Sequence, residues 1–176
     1  GDLEPLIQAG RFIPEIRLGS AKVFQDSGVN ITTFVEKAIE RAVEHFVDTH
    51  GCRLFNISYG DENKVYDGRH LRGLAYTLDR LSRDLNVLFF VSTGNHQEHQ
   101  LPPAEQIRRR YPHYLHEDAA RLLDPAPALN VVTVGGLARF EASQQAQRYP
   151  HTIEDVPVAR KDQPSPFTRS GPSING

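Results

Sequence analysis

"LFFVSTGNHQ", residues 88–97, decides the fold. An apolar run from Val87 to Val91 passes abruptly into small polar residues and stops at Gly94-Asn95. A short continuous apolar run bounded by a turn reads as a strand buried on both faces, the habit of parallel sheets. The small turn leaves room for something to lie against the backbone. In open α/β sheets ligands bind just outside the carboxyl ends of the strands.

Working outward, the same organisation repeats. Residues 69–85, "RHLRGLAYTLDRLSRDL", carry Leu71, Leu74, Ala75, Leu78, Leu81 and Leu85 on one helical stripe,. Before them, 52–58 read as a buried strand and 59–68 as a loop. Residues 30–51 form the clearest helix, with apolar residues from Ile31 to Val47 at three- and four-residue spacing,. Thr33 and Glu36 have capping-box spacing, and Gly51 stands where a C-terminal cap belongs,. Residues 15–24 alternate Ile16, Leu18, Ala21 and Val23 and read as a strand,. Residues 1–15 read as a short helix or loop. Downstream, 96–127 form a polar excursion carrying one or two short helices, 129–138 are a strand ending on Gly135-Gly136, 139–166 give weak signals, and 165–176 read as a short strand and turn. Strand, helix, strand, helix, strand, excursion, strand is the order of a parallel α/β sheet. Three of these strands end on small residues at one edge: Ser58-Tyr59-Gly60, Ser92-Thr93-Gly94-Asn95 and Gly135-Gly136.

The bulk composition narrows the partners. The chain has 176 residues, enough for one domain, and a net charge of −2, which offers no footprint for nucleic acid or anionic membrane,. No apolar run approaches the roughly 20 residues of a membrane span, and no signal peptide opens the chain,. A single cysteine, Cys52, rules out an internal disulfide; this leans toward a cytoplasmic location without fixing it,. Methionine is absent, and the chain opens on Gly-Asp and stops on "SGPSING". It therefore reads as an internal piece of a longer protein.

Four stretches in order, "LFNISYG" (54–60), "NVLFFVSTGN" (86–95), "PALNVVTVGGLA" (127–138) and "SPFTRSGP" (165–172), resemble the middle of a subtilisin-like serine protease, a subtilase. The resemblance covers about residues 15–60, 68–96, 128–138 and 165–172; 97–127 and 139–164 are expected to be variable insertions in one domain spanning 1–176. It implies a three-layer α/β fold with a mainly parallel sheet, incomplete at both ends. It also gives Asn95 a role: its carboxamide donates to the oxyanion formed when a peptide carbonyl is attacked, without bringing a charge to be desolvated. By the same resemblance Ser58, Tyr59 and Gly60 form the strand that pairs with an extended peptide, and Ser92, Thr93 and Gly94 wall the pocket for the side chain before the cleaved bond. Tyr59 stands where a smaller aliphatic residue is common. Taken alone, Gly94-Asn95 reads as an ordinary left-handed turn.

The resemblance further implies a catalytic order of Asp, His, Asn, Ser. The Asp-Ser/Thr-Gly and His-Gly-Thr motifs are expected before Gly1 and the Gly-Thr-Ser motif after Gly176. The chain alone is then expected to be inactive. Its partner is a peptide or protein substrate, and the exposed sheet of an incomplete domain is expected to favour self-association. A non-catalytic peptide-binding pseudoprotease is the alternative. No cofactor or metal is expected. The pairs His96/His99 and His113/His116 have i, i+3 spacing but supply too few ligands for zinc,. Asp61-Glu62 reads as a solvated turn, Cys52 as a small core residue, and the arginines of "IRRRY" (107–111) as a solvated face,. No phosphate-binding glycine motif occurs,.

Overall fold

Helix α1 (Val35–His50) is the first regular element among the described residues of the structure, a computed structural model that describes residues 9–10, 16–23, 35–96, 110–138, 159 and 161–171. Val35, Ile39 and Val43 recur every four residues and form its buried stripe,. Gly51 ends it at φ +64 and donates its N–H to the Val47 carbonyl at 3.0 Å, the expected cap,. Thr33, half of the expected capping box, lies outside the described residues. The chain continues through β1 (Leu54–Ile57), β2 (Asp61–Val65), α2 (Gly73–Leu85) and β3 (Leu88–Ser92). Two short 3-10 helices, His113–His116 and Asp118–Ala120, precede β4 (Leu123–Asp124) and β5 (Val131–Val134).

Strands β1, β3 and β5 form a parallel sheet in that spatial order, with Phe55 beside Phe89 and Phe89 beside Val131. The fold is thus α/β, as the strand–helix alternation requires. Alternate side chains point to opposite faces. Phe89 and Val91 face α1 and α2 and join one core with Ile39, Val43, Leu74, Leu78 and Leu81. The other face carries Leu54, Leu88, Val132 and Val134, which are 64%, 37%, 40% and 50% exposed. Among the described residues the helices therefore cover one face, where the continuous apolar runs suggest cover on both.

Helix α2 begins later than the periodicity suggests, at Gly73, with φ +56. Arg72 at its N-cap supplies no side-chain bond. The carboxylate of Asp124 does so instead, accepting from the amides of Leu74 at 3.1 Å and Ala75 at 2.8 Å,. Asn86 ends the helix in the left-handed region and donates its N–H to the Ser82 carbonyl,. The Arg80–Glu40 ion pair ties α2 to α1.

Three expectations change. Residues 16–23 form no strand: Gly19 lies against the ring of Phe46 in α1, and 17–23 and β1 both line a cavity of about 720 Å³. A strand needs a neighbour for its backbone groups, and alternation alone supplies none. Residues 59–68 are not all loop, because Asp61–Val65 pairs antiparallel with β4. The end of the supposed polar excursion, 120–128, is largely buried, with Leu122, Ala126 and Ala128 in the core.

Candidate functional site

The parallel pairing of β1 and β3 carries their carboxyl ends to one edge. Ile57 lies beside Val91, so Ser58-Tyr59-Gly60 emerges next to Ser92-Thr93-Gly94-Asn95. A Cβ built on Gly60 would stand 3.5 Å from the Cα of Gly94. Leu123 lies beneath both: that Cβ would meet Leu123 Cβ and Cδ1 at 3.1 Å. On Gly94 a Cβ would meet Leu123 Cδ1 at 2.7 Å and Cγ at 2.8 Å, and its φ of +90 already favours glycine,. The turn is small for an interior reason as well as for whatever lies outside it.

The expected site residues fall into three groups. Asn95 is exposed at the tip of the turn. Ser58 is exposed and accepts from Asn56 Nδ2 at 3.0 Å, while Tyr59 and Gly60 are half-buried. Burial, then the nearby Asp61 carboxylate, pushes the Tyr59 phenol above its ordinary pKa,. Ser92 is half-buried; Thr93 and Gly94 are buried. The Thr93 hydroxyl turns inward to Thr168 Oγ1 at 3.1 Å, so its backbone is what remains for the pocket wall. Thr93 N–H donates to the Val134 carbonyl at 3.0 Å, and its own carbonyl accepts from Leu123 at 3.2 Å. The end of β3 is thus held between β5 and β4.

A second segment, 167–170, closes over this turn. Asn95 bridges to Thr168 in an antiparallel pair, and His96 N–H donates to the Phe167 carbonyl at 2.8 Å. Arg169 N–H donates to the Gly94 carbonyl at 3.3 Å, and its Nε to the Asn95 carbonyl at 3.1 Å. Its Nη1 donates to the carbonyls of Ala119 at 2.8 Å and Arg121 at 3.1 Å. Thr168 Oγ1 accepts from the Gly136 amide at 3.1 Å, joining the third glycine-ended strand to the same knot. His96 is buried against the Tyr114 ring. Burial, and then the Arg169 charge, lowers its pKa, so the imidazole is neutral at pH 7,.

Leu123, Thr168 and Arg169 were not singled out by sequence reasoning. The Phe-x-x-x-Gly-Pro pattern marks the stretch holding two of them but says nothing of what they hold. Asp26-Ser27-Gly28 has the Asp-Ser/Thr-Gly form expected only before Gly1. It lies outside the described residues and follows the 16–23 segment, with no His-Gly-Thr after it. It is therefore out of the order that the resemblance assigns to the catalytic Asp.

The remaining candidates stand apart. His113 and His116 are exposed, and His99 lies outside the described residues. Among the described residues no group of three His, Cys, Asp or Glu could hold a metal ion, and no helix is long and apolar enough to cross a membrane. Arg110 pairs with Glu117; Arg108 and Arg109 lie outside the described residues. Cys52 is half-buried, its thiol directed at the Leu54 carbonyl at 3.3 Å.

Comparison with known proteins gives three findings. The model of the subtilase family matches residues 4–176. A protein of Sinorhizobium fredii (strain NBRC 101917 / NGR234), described as "Uncharacterized protein y4bN", is 40% identical over 142 residues. The match takes in 81% of this chain and 32% of that protein, so the chain spans about a third of its relative's length. No solved structure matches.

Proposed function

Because the chain belongs to the subtilase family, we propose that it is the central part of a serine endopeptidase domain, supplying the oxyanion donor and one side of the peptide cleft. The observation that carries this reading is the exposed Asn95 on a turn of buried, tightly packed glycine, beside the end of β1. An oxyanion donor has to be exposed, neutral and fixed before the charge develops. Asn95 is exposed and neutral, and the backbone that carries it is bonded on both sides.

The proposed reaction divides the labour between this chain and the rest of the protein. A serine hydroxyl outside the chain adds to the carbonyl carbon of the scissile peptide, and the carbonyl π electrons move onto oxygen. A histidine held by an aspartate, also outside the chain, takes the hydroxyl proton and later delivers it to the leaving amine. The Asn95 Nδ2–H donates to the oxyanion of the tetrahedral intermediate. The backbone of Ser58, Tyr59 and Gly60 offers edge hydrogen bonds to the extended substrate, and Ser92, Thr93 and Gly94 wall the neighbouring pocket. The chain alone lacks the nucleophile and is inactive.

Fluorophosphonate labelling of the full-length protein beside the chain alone tests this. Labelling of the full-length protein only, lost when its nucleophilic serine is replaced, is the expected result. A folded full-length protein that takes no label overturns the protease reading and leaves a non-catalytic peptide-binding cleft. In an active protein, Asn95→Ala should lower kcat and leave KM nearly unchanged. The size is borrowed from subtilisin itself, where loss of such a donor costs about 10²–10³ in kcat. An unchanged kcat removes the oxyanion role from Asn95.

A further inference from the structure

We infer that Arg169 is a positioning residue, the clamp that fixes the backbone from which the Asn95 carboxamide projects. The inference rests on the oxyanion reading of Asn95 and goes beyond it by assigning what holds the donor still.

The two peptide planes that flank a residue set the direction of its Cα–Cβ bond, the base from which the side chain projects. Both planes around Asn95 are held from the 167–170 segment. The Gly94–Asn95 plane is held at its oxygen, by the Arg169 amide at 3.3 Å. The Asn95–His96 plane is held at both ends: its oxygen accepts from Arg169 Nε at 3.1 Å, and its N–H donates to the Phe167 carbonyl at 2.8 Å. Two of these three bonds come from Arg169, one from its backbone and one from its side chain.

The guanidinium is itself anchored. Arg169 is 2% exposed, and Nη1 donates to Ala119 at 2.8 Å and Arg121 at 3.1 Å. The fork thus spans the gap between the Asn95 turn and the 119–121 segment. Ser170 reinforces that side through its amide, which donates to the Ala120 carbonyl at 2.9 Å. A rigid planar fork suits this task, because fixing one nitrogen fixes the direction of the others. Lysine has one charged point on a flexible stem and cannot hold Asn95 and the 119–121 carbonyls in that fixed relation.

Misplacing a catalytic group by about 1 Å can cost about 10²-fold in rate. Arg169→Ala in the full-length protease should therefore lower kcat by about 10- to 100-fold with little change in KM. Since Arg169 acts through Asn95, the loss should nearly vanish in an Asn95→Ala background, a strong coupling in a double-mutant cycle. Arg169→Lys should recover only part of kcat. A purely structural Arg169 predicts the same fold-loss in both backgrounds, which would overturn the proposal. Where Arg169→Ala does not fold, the same cycle with Arg169→Lys decides, and wild-type kcat in that variant likewise overturns it. The two readings fail separately. An Asn95→Ala protein with unchanged kcat defeats both, whereas a lowered kcat there with unaffected Arg169 variants defeats only the clamp.

Discussion

Gly94 is the residue on which the site's shape most directly depends. Its φ of +90 and the Leu123 atoms at 2.7 and 2.8 Å from a built Cβ are independent penalties on any side chain. Left-handed backbone costs a non-glycine residue about 1–2 kcal/mol, and overpacking adds about 1–3 kcal/mol. Gly94→Ala should therefore destabilise by about 3 kcal/mol, read as a shift in denaturant midpoint at constant slope. Gly60→Ala meets the same leucine at 3.1 Å without a left-handed backbone and should cost clearly less. Equal losses would show that packing alone governs both positions. The Gly94-Asn95 turn was legible because the polar ending of an apolar run is a local feature. The hold of Arg169 on Asn95 was not, because it joins positions 74 residues apart and nothing near either one announces the other.

Among elements, the two helices and the three parallel strands were legible in outline. Each carries its own periodicity or apolar run, so the reading needs no distant partner. Strand β2 was not: Asp61–Val65 is polar and becomes a strand through its pairing with Leu123–Asp124. The start of α2 fails to announce itself for the same reason. Its cap is Asp124, about fifty positions downstream rather than one before it. Burial pushes the Asp124 carboxyl above its ordinary pKa, and the amides of Ala75 and Leu74 work against that shift,. Removing the cap with Asp124→Ala should cost about 1–2 kcal/mol. Asp124→Asn keeps one acceptor and removes the buried charge, so its loss should be smaller. Thermal unfolding of the two variants checks the order, and an equal or larger loss for Asn would mean that the charge, not the bonding, is what α2 requires.

At the scale of the whole molecule, one face of the sheet is left uncovered by helices among the described residues. Leu54, Leu88, Val132 and Val134 lie on adjacent strands and share that face. Contiguous apolar surface of this kind marks an interface. The chain on its own is expected to self-associate through it, and sedimentation velocity should find species larger than a monomer. Leu88→Lys combined with Val132→Lys should restore the monomer; a wild-type chain that is already monomeric refutes the idea. Leu123 has a reach out of proportion to its size, since it is the common floor under Gly60 and Gly94. The two strand ends that carry these glycines cannot settle independently onto one side chain. Exchanging that leucine for a bulkier or slimmer aliphatic residue would retune the spacing of the two strand ends, and with it the width of the proposed cleft, from inside, leaving every residue at its rim unchanged.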